Sequence, residues 1–286
     1  MADSAGQFFT PADHAEAAQL KAEYLDGARI LAGGQSLTTM MRLGFVNPDA
    51  LISLRRVPGA TEMAQTRGTI TVGPRVTTAD ISRSAFRRSI PVVNDAAGQI
   101  ASPHVRNIGT VVGNICQADP GNDLAAAMLC HEASCVVMSS RGERIVPVGE
   151  LLAEPYALDL QEDEYVSGCL IPRLDDWLGA YRKVVWRGSD HPVAAAAVAL
   201  KVRDRTIVDA RVAVGSSIPV ATRLPAFEAI LRETAAGEWD RLLAQTPDQV
   251  NGLAYLDDPD MPGSYRRRIT AVLINDAVRH CLGISG

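Results

Sequence analysis

Ala28-Arg-Ile-Leu-Ala-Gly-Gly-Gln-Ser-Leu-Thr-Thr-Met-Met-Arg-Leu43 is the stretch whose reading decides the fold. Arg29 to Ala32 reads as a short buried strand. Gly33 and Gly34 follow, then the polar pair Gln35 and Ser36. Leu37, Met40 and Met41 fall at helical spacing. The order is strand, glycine turn, hydroxyl, helix. Such a turn aims backbone N–H groups at an anion, and the helix start adds a favourable dipole. Ser36 either caps the helix or bonds a phosphate oxygen. The same residues also suit a plain tight turn whose glycines supply positive φ. The stretch is neither a Gly-x-Gly-x-x-Gly fingerprint nor a P-loop, because it lacks the third glycine and the lysine.

Downstream, Arg106-Asn-Ile-Gly-Thr-Val-Val-Gly-Asn-Ile115 reads as a second turn of similar make-up. The loop Cys116 to Asp123 is poor in core-filling side chains and rich in polar groups. Asn122 or Asp123 caps an evident helix, Leu124 to His131. Local sequence leaves Asp123 either as that cap alone or as a site residue, and Arg106 either as a site residue or as a solvated charge.

The remaining elements follow from pattern. Phe8 and Phe9 open a short strand. Thr10 caps a helix that has Pro11 in its first turn and runs through Ala15 to Tyr24. Ala50 to Leu54 and Thr69 to Val72 read as strands. Helices begin near Thr77 and Pro91, and Pro58-Gly59 marks a seam. Cys135 to Met138 and Arg144 to Val148 form a hairpin around Arg141-Gly142. Glu164 to Ile171 is a strand. Val193 to Val202 and Thr206 to Gly215 bend at Asp204-Arg205 and make an antiparallel meander. Tyr265 to Leu282 is a strong final helix, with Arg266-Arg267-Arg268 as a solvated face.

Composition narrows the partners. The chain has 286 residues, 47% of them hydrophobic, and a net charge of −5. That balance gives no electrostatic case for nucleic acid or an anionic membrane. The longest apolar run, Val193 to Leu200, is too short to span a bilayer. The start of the chain, from Met1 to Gly6, carries no secretory pattern. Five irregularly spaced cysteines, with no Cys-x-x-Cys, argue against a disulfide framework and against cluster ligation by this chain. A reduced, cytoplasmic setting fits. No histidine arrangement makes a metal set.

Ala32-Gly33-Gly34-Gln35-Ser36-Leu37, with Met40 and Arg42, forms one half of a two-part signature. The other half is Val105-Arg106-Asn107, Gly109-Thr110, Gly113-Asn114-Ile115, Pro120 and Asp123-Leu124. Together these resemble the FAD-binding (medium) subunit of the molybdenum hydroxylases, the carbon monoxide dehydrogenase and xanthine dehydrogenase family. Tyr181-x-Lys183, Arg187 and Asp190 add a weaker match. The resemblance covers nearly the whole chain. Three positions depart from the family pattern: Thr39 stands where Pro is frequent, Val112 where a second Gly is, and Ser53 where Asp is common.

The resemblance implies an α+β protein with a vanillyl-alcohol-oxidase-like (PCMH-type) FAD-binding fold. Two subdomains, residues 1–57 and 58–175, would hold the cofactor, followed by a C-terminal domain of antiparallel sheet with helices, 176–286. The turn Ala32, Gly33, Gly34, Gln35, Ser36 and Leu37 would hold the FAD pyrophosphate together with Thr110, Gly113 and Asn114. Asp123 would bond ribityl hydroxyls and Lys183 would lie near the flavin ring. Ile100 and Ala101, with Ser102, would line the approach to the isoalloxazine. Leu31 and Leu170 complete the implied binding set.

The implied role is electron relay within a complex, a dimer of heterotrimers. A large molybdopterin subunit oxidises substrate, a small subunit with two [2Fe–2S] clusters carries electrons, and this chain passes them to an external acceptor. The chain itself then carries no substrate-oxidising residue and no metal. Two other readings stay open: a free-standing FAD oxidoreductase of the same fold, and a flavin-free scaffold subunit, which Val112 favours.

Overall fold

The computed structural model describes residues 6–232 and 234–284. The stretch 1–5, included above in the reading of the chain start, lies outside them.

The chain opens with β1 (Gln7–Phe9), α1 (His14–Tyr24), β2 (Ala28–Leu31), α2 (Leu37–Arg42) and β3 (Ala50–Ser53). The three strands form a parallel sheet in the order β1-β3-β2. Helix α1 starts later than its sequence suggests. Asp13, rather than Thr10, is the cap, and its carboxylate accepts from Glu16 N–H. Strand β2 lies at the sheet edge, and Ala28 is its one buried residue, so the expectation of a buried strand is not met.

The middle of the chain runs β4 (Met63–Gln65), β5 (Thr69–Val72), α3 (Thr78–Ser82), α4 (Pro91–Gln99), α5 (Pro103–Ile108), α6 (Val111–Gln117) and α7 (Leu124–Cys130). It continues through β6 (Ser134–Ser139), β7 (Gly142–Pro147), α8 (Val148–Leu151), β8 (Leu152–Glu154), β9 (Ala157–Leu158) and β10 (Tyr165–Pro172). A five-stranded sheet has the order β4-β5-β10-β6-β7, and the expected hairpin forms, but its two-residue turn is Ser140-Arg141, with Gly142 already paired to Ser139 as the first residue of β7. Thr77 and Asp80 form a reciprocal capping box that fixes the start of α3. The second turn is not a strand-turn-helix unit. It is the junction between two short helices, α5 and α6, with Gly109 and Thr110 between them.

The last part is a four-stranded antiparallel meander, β11 (Leu178–Val185), β12 (Pro192–Arg203), β13 (Thr206–Gly215) and β14 (Thr222–Arg223). Asp204 and Arg205 both take positive φ at its tightest bend, which matches the strand twist of a two-residue hairpin. Helices α9 (Pro225–Leu231), α10 (Trp239–Leu243), α11 (Thr246–Gln249) and α12 (Gly263–Leu282) follow, and α12 packs on β12 and β11.

The three larger sheets pack about three hydrophobic cores, one around Ile52 and Leu54, one around Ile81, Ile115 and Met128, and one around Val198, Phe227 and Ile274. Strand β11 serves two of them. Ala180 faces the third core, while Tyr181, one residue on, faces the second. Arg266 departs from the expected solvated face. It is buried, and its guanidinium donates to the carbonyls of Val193 (2.6 Å) and Ser216 (3.2 Å) and to Asp258 (2.7 Å).

Candidate functional site

The two glycine-bearing segments meet. Gly33 packs directly on the Ile108–Thr110 junction. A methyl group at Gly33 would fall well inside contact distance of the Ile108 carbonyl oxygen and 3.0 Å from the Thr110 methyl. Gly34 adopts φ +85°, a conformation that side chains resist. Its carbonyl accepts from both the N–H (3.0 Å) and the hydroxyl (2.6 Å) of Thr38, in the first turn of α2. Among the described residues, the N–H groups of Gly34, Gln35 and Ser36 have no protein acceptor. Ser36 occupies the cap position of α2, but its hydroxyl makes no capping bond and is exposed. Of its two sequence readings, capping is therefore excluded, and the hydroxyl is open to a ligand. A methyl group at Gly109 would meet the Gln35 side chain at 3.9 Å, an ordinary contact.

Thr110 caps α6 by accepting from Gly113 N–H (2.9 Å). Val112 points the other way, into the core. It does not narrow the turn, so the feature that favoured a flavin-free reading loses its basis. Asn114 links the turn to the next loop: its carbonyl accepts from Asn122 Nδ2 (2.8 Å), and its side-chain oxygen accepts from Leu124 N–H (3.3 Å). Asn114 thus supplies the bond that was expected from Asp123 or Asn122. Asp123 holds the cap position without a capping bond.

The Asp123 carboxylate turns instead to β11. Its Oδ1 accepts from Lys183 Nζ (2.8 Å) and from the Tyr181 hydroxyl (2.9 Å). The Lys183 side chain is only 9% exposed, so it is not a surface strand-end lysine. Tyr181 and Lys183 are two residues apart, which puts both on one face of the strand. Burial, then the Asp123 charge beside it, pushes the Tyr181 phenol far above its usual range, so it stays a donor.

Ile100 and Ala101 come to the same region through Arg106. Its Nη1 donates to both carbonyls, at 2.6 and 2.9 Å, and holds Ala101 at φ +35°. Arg106 is therefore a loop clamp, not a solvated charge. Ser102 caps α5. Leu170 sits half-buried in β10 with Thr71 and Ser134 as its register partners, and Leu31 ends β2 against Ser53. Sequence reasoning missed Asp95, Gln99 and Arg75. Asp95 and Gln99 bond the backbone of Tyr181, and Arg75 Nε donates to the Ala32 carbonyl (3.4 Å). Only the i, i+4 spacing of Asp95 and Gln99 on α4 hinted at a shared partner. A separate surface groove of about 510 Å³, lined in part by Val250, Tyr265 and Val272, shares no residue with these turns.

The chain that closes two glycine turns on each other beside a buried acid–lysine pair matches known proteins over nearly its whole length. Residues 4–174 match the family described as the FAD binding domain in molybdopterin dehydrogenase, and residues 179–281 match the CO dehydrogenase flavoprotein C-terminal domain. The chain belongs to the FAD-binding subunit family of the molybdopterin dehydrogenases. It is similar to the nicotine 6-hydroxylase medium subunit of Paenarthrobacter nicotinovorans, at 30% identity over 95% of both chains. It is also similar to the carbon monoxide dehydrogenase medium chain of Hydrogenophaga pseudoflava, at 32% over 76% of both. A solved structure of carbon monoxide dehydrogenase from Hydrogenophaga pseudoflava superposes with a TM-score of 0.92, at 27% identity over 99% of each chain. This FAD subunit is thus an oxidoreductase component with the fold of those medium subunits.

The residues present fit the cofactor. A diphosphate needs converging donors and close backbone approach more than it needs lysines. The free N–H groups of Gly34, Gln35 and Ser36, beside a glycine that admits no side chain, provide both. Among the described residues, no helix is long and apolar enough to cross a membrane.

Proposed function

We propose that this FAD subunit relays electrons, taking them from the [2Fe–2S] clusters of a small partner subunit and passing them to an external acceptor. A large molybdopterin-containing subunit would oxidise the substrate. The observation that carries the reading is the closure of Gly33 onto the Ile108–Thr110 junction, beside the Asp123–Lys183 pair. The similarity to medium chains supports the division of labour.

Within the site, Leu31, Ala32, Gly33, Gly34, Gln35, Ser36 and Leu37 would embrace one side of the pyrophosphate, and Thr110, Gly113 and Asn114 the other. Asp123 would accept from ribityl hydroxyls. Ile100, Ala101 and Leu170 would border the ring. Bound FAD supplies reversible one- and two-electron chemistry. Lys183 holds a positive charge in a shielded position, where it favours an anionic reduced ring. Arg106 keeps the Ile100–Ala101 loop in place, and Gly34, at positive φ, gives the first turn a shape that leaves its N–H groups without a protein acceptor.

The three-part division 1–57, 58–175 and 176–286 belongs to this reading, as do a dimer of heterotrimers and a cytoplasmic setting. The three larger sheets, each confined to one of these stretches, support the division.

The test is native purification from the source cell with flavin, iron and molybdenum analysis. The expected result is one FAD per chain, with iron–sulfur and molybdopterin subunits in equal number. A yellow chain that purifies alone, fully active on a substrate, would replace the relay by a free-standing oxidoreductase. A colourless chain that takes up no FAD would end the flavin reading.

A further inference from the structure

Tyr181 is fully buried, and its hydroxyl shares a single carboxylate oxygen, Asp123 Oδ1, with Lys183. That oxygen's lone pairs are then both engaged, while Oδ2 receives neither donor. The backbone of Tyr181 is fixed as well. Its N–H donates to Asp95 Oδ2 (2.8 Å), and its carbonyl accepts from Gln99 Nε2 (3.2 Å) and from Arg182 Nη1 (3.0 Å). Strand β11 is an edge strand of the meander, so on its outer side these groups have no ladder partner. Two side chains of α4, with Arg182 of β11 itself, stand in for the missing strand. The backbone that carries the phenol is thereby anchored to a helix outside its own sheet, and the buried ring meets Asp123 from a fixed position.

We propose that Tyr181 is a positioning residue for the cofactor: it holds Asp123 Oδ1 so that Oδ2 faces the ligand's hydroxyls, and it spares part of the Lys183 charge for the flavin ring. This rests on the reading that Asp123 and Lys183 face FAD. Without the phenol, the carboxylate is free to turn and meet Lys183 with both oxygens. The ammonium is then more fully neutralised, and the acceptor meant for the ligand is withdrawn. Tyr181 touches neither the ring nor the reacting atoms and acts through its neighbours.

The test uses the full chain, stripped of flavin and titrated with FAD, alongside the midpoint potential of the reloaded protein. Tyr181→Phe is expected to weaken FAD binding about tenfold, the scale of one charge-assisted hydrogen bond, and to lower the potential. Lys183→Met lowers the potential too. The double variant falls short of the sum, because the two donors share one oxygen. A purely structural tyrosine would change melting temperature and leave the potential alone. If Tyr181→Phe fails to fold, 3-fluorotyrosine at position 181 decides. Its more acidic hydroxyl donates more strongly and must raise the potential. Unchanged affinity and potential in Tyr181→Phe, or no shift with fluorotyrosine, overturns the proposal while FAD binding itself stands. A wild-type chain that binds no FAD, or a Lys183→Met variant with unaltered affinity and potential, overturns the underlying reading instead.

Discussion

At Gly33 the absence of a side chain decides whether the two turns can touch. The neighbour that a methyl group would strike is a backbone carbonyl, Ile108 O, which cannot swing aside as a side-chain tip does. Gly33→Ala must therefore push the α5–α6 junction away from the first turn. The expected outcome is a loss of FAD affinity of at least about tenfold, with a stability cost of about 1–3 kcal/mol. Gly252 provides the comparison, because a methyl group there would meet no atom within 4 Å and its φ is an ordinary one. Gly252→Ala will bind FAD as the parent does. Fluorescence titration and urea unfolding of both variants check this. The same scale shows where the sequence misled about Asp123. Its place before Leu124 matches every helix-cap rule, yet Lys183 wins over the helix because a cation binds a carboxylate more strongly than a backbone N–H does. No local rule sees a partner sixty residues away in the chain.

Elements with a strong period were legible. The β12–β13 meander alternates or runs apolar as buried antiparallel strands do, and the β6–β7 hairpin turns at Ser140-Arg141, just before its glycine. Helices α5 and α6 were not legible, because six and seven residues complete fewer than two turns and cannot display a 3.6-residue repeat. Arg266 is a different kind of miss. Three adjacent arginines look alike, but helical rotation separates their faces. Arg266 lies four residues before Thr270 and eight before Ile274, both fully buried, whereas Arg267 and Arg268 point to solvent. Following that stripe back one more turn would have found it. Its guanidinium satisfies three carbonyls, those of Val193, Ser216 and Met261, and one carboxylate at once, tying α12 to the ends of β12 and β13. Arg266→Ala leaves those acceptors without a donor and is expected to cost about 3 kcal/mol. Arg267→Ala will stay within about 0.5 kcal/mol of the parent. Denaturant midpoints at constant slope measure both.

Across the whole molecule, α7 is the joint between the second core and the meander. Cys130 near its end donates its thiol hydrogen to the Ala197 carbonyl (3.2 Å), and Arg211 reaches back to the Cys130 carbonyl (3.2 Å). His131 follows directly and is fully buried. Its Nδ1–H donates to the Pro172 carbonyl (3.0 Å), while Nε2 has no partner among the described residues. Burial pulls its pKa down from 6.5 to about 4; the Pro172 bond opposes that, and the Arg211 charge adds to it. In the folded protein the ring is thus neutral at a pH where the unfolded chain binds a proton. The unfolded state gains protons first, so stability is full above about pH 6.5 and is lost as pH falls towards 4. A shift of this size amounts to about 3 kcal/mol over that window. His131→Asn keeps a donor for Pro172 but has no proton to gain. The difference in unfolding free energy between parent and variant should therefore be constant above pH 7 and shrink steadily between pH 6.5 and 4. Urea unfolding at half-unit pH steps measures it. A parallel pair of curves would place the acid sensitivity of the molecule elsewhere than at the joint between its two larger sheets.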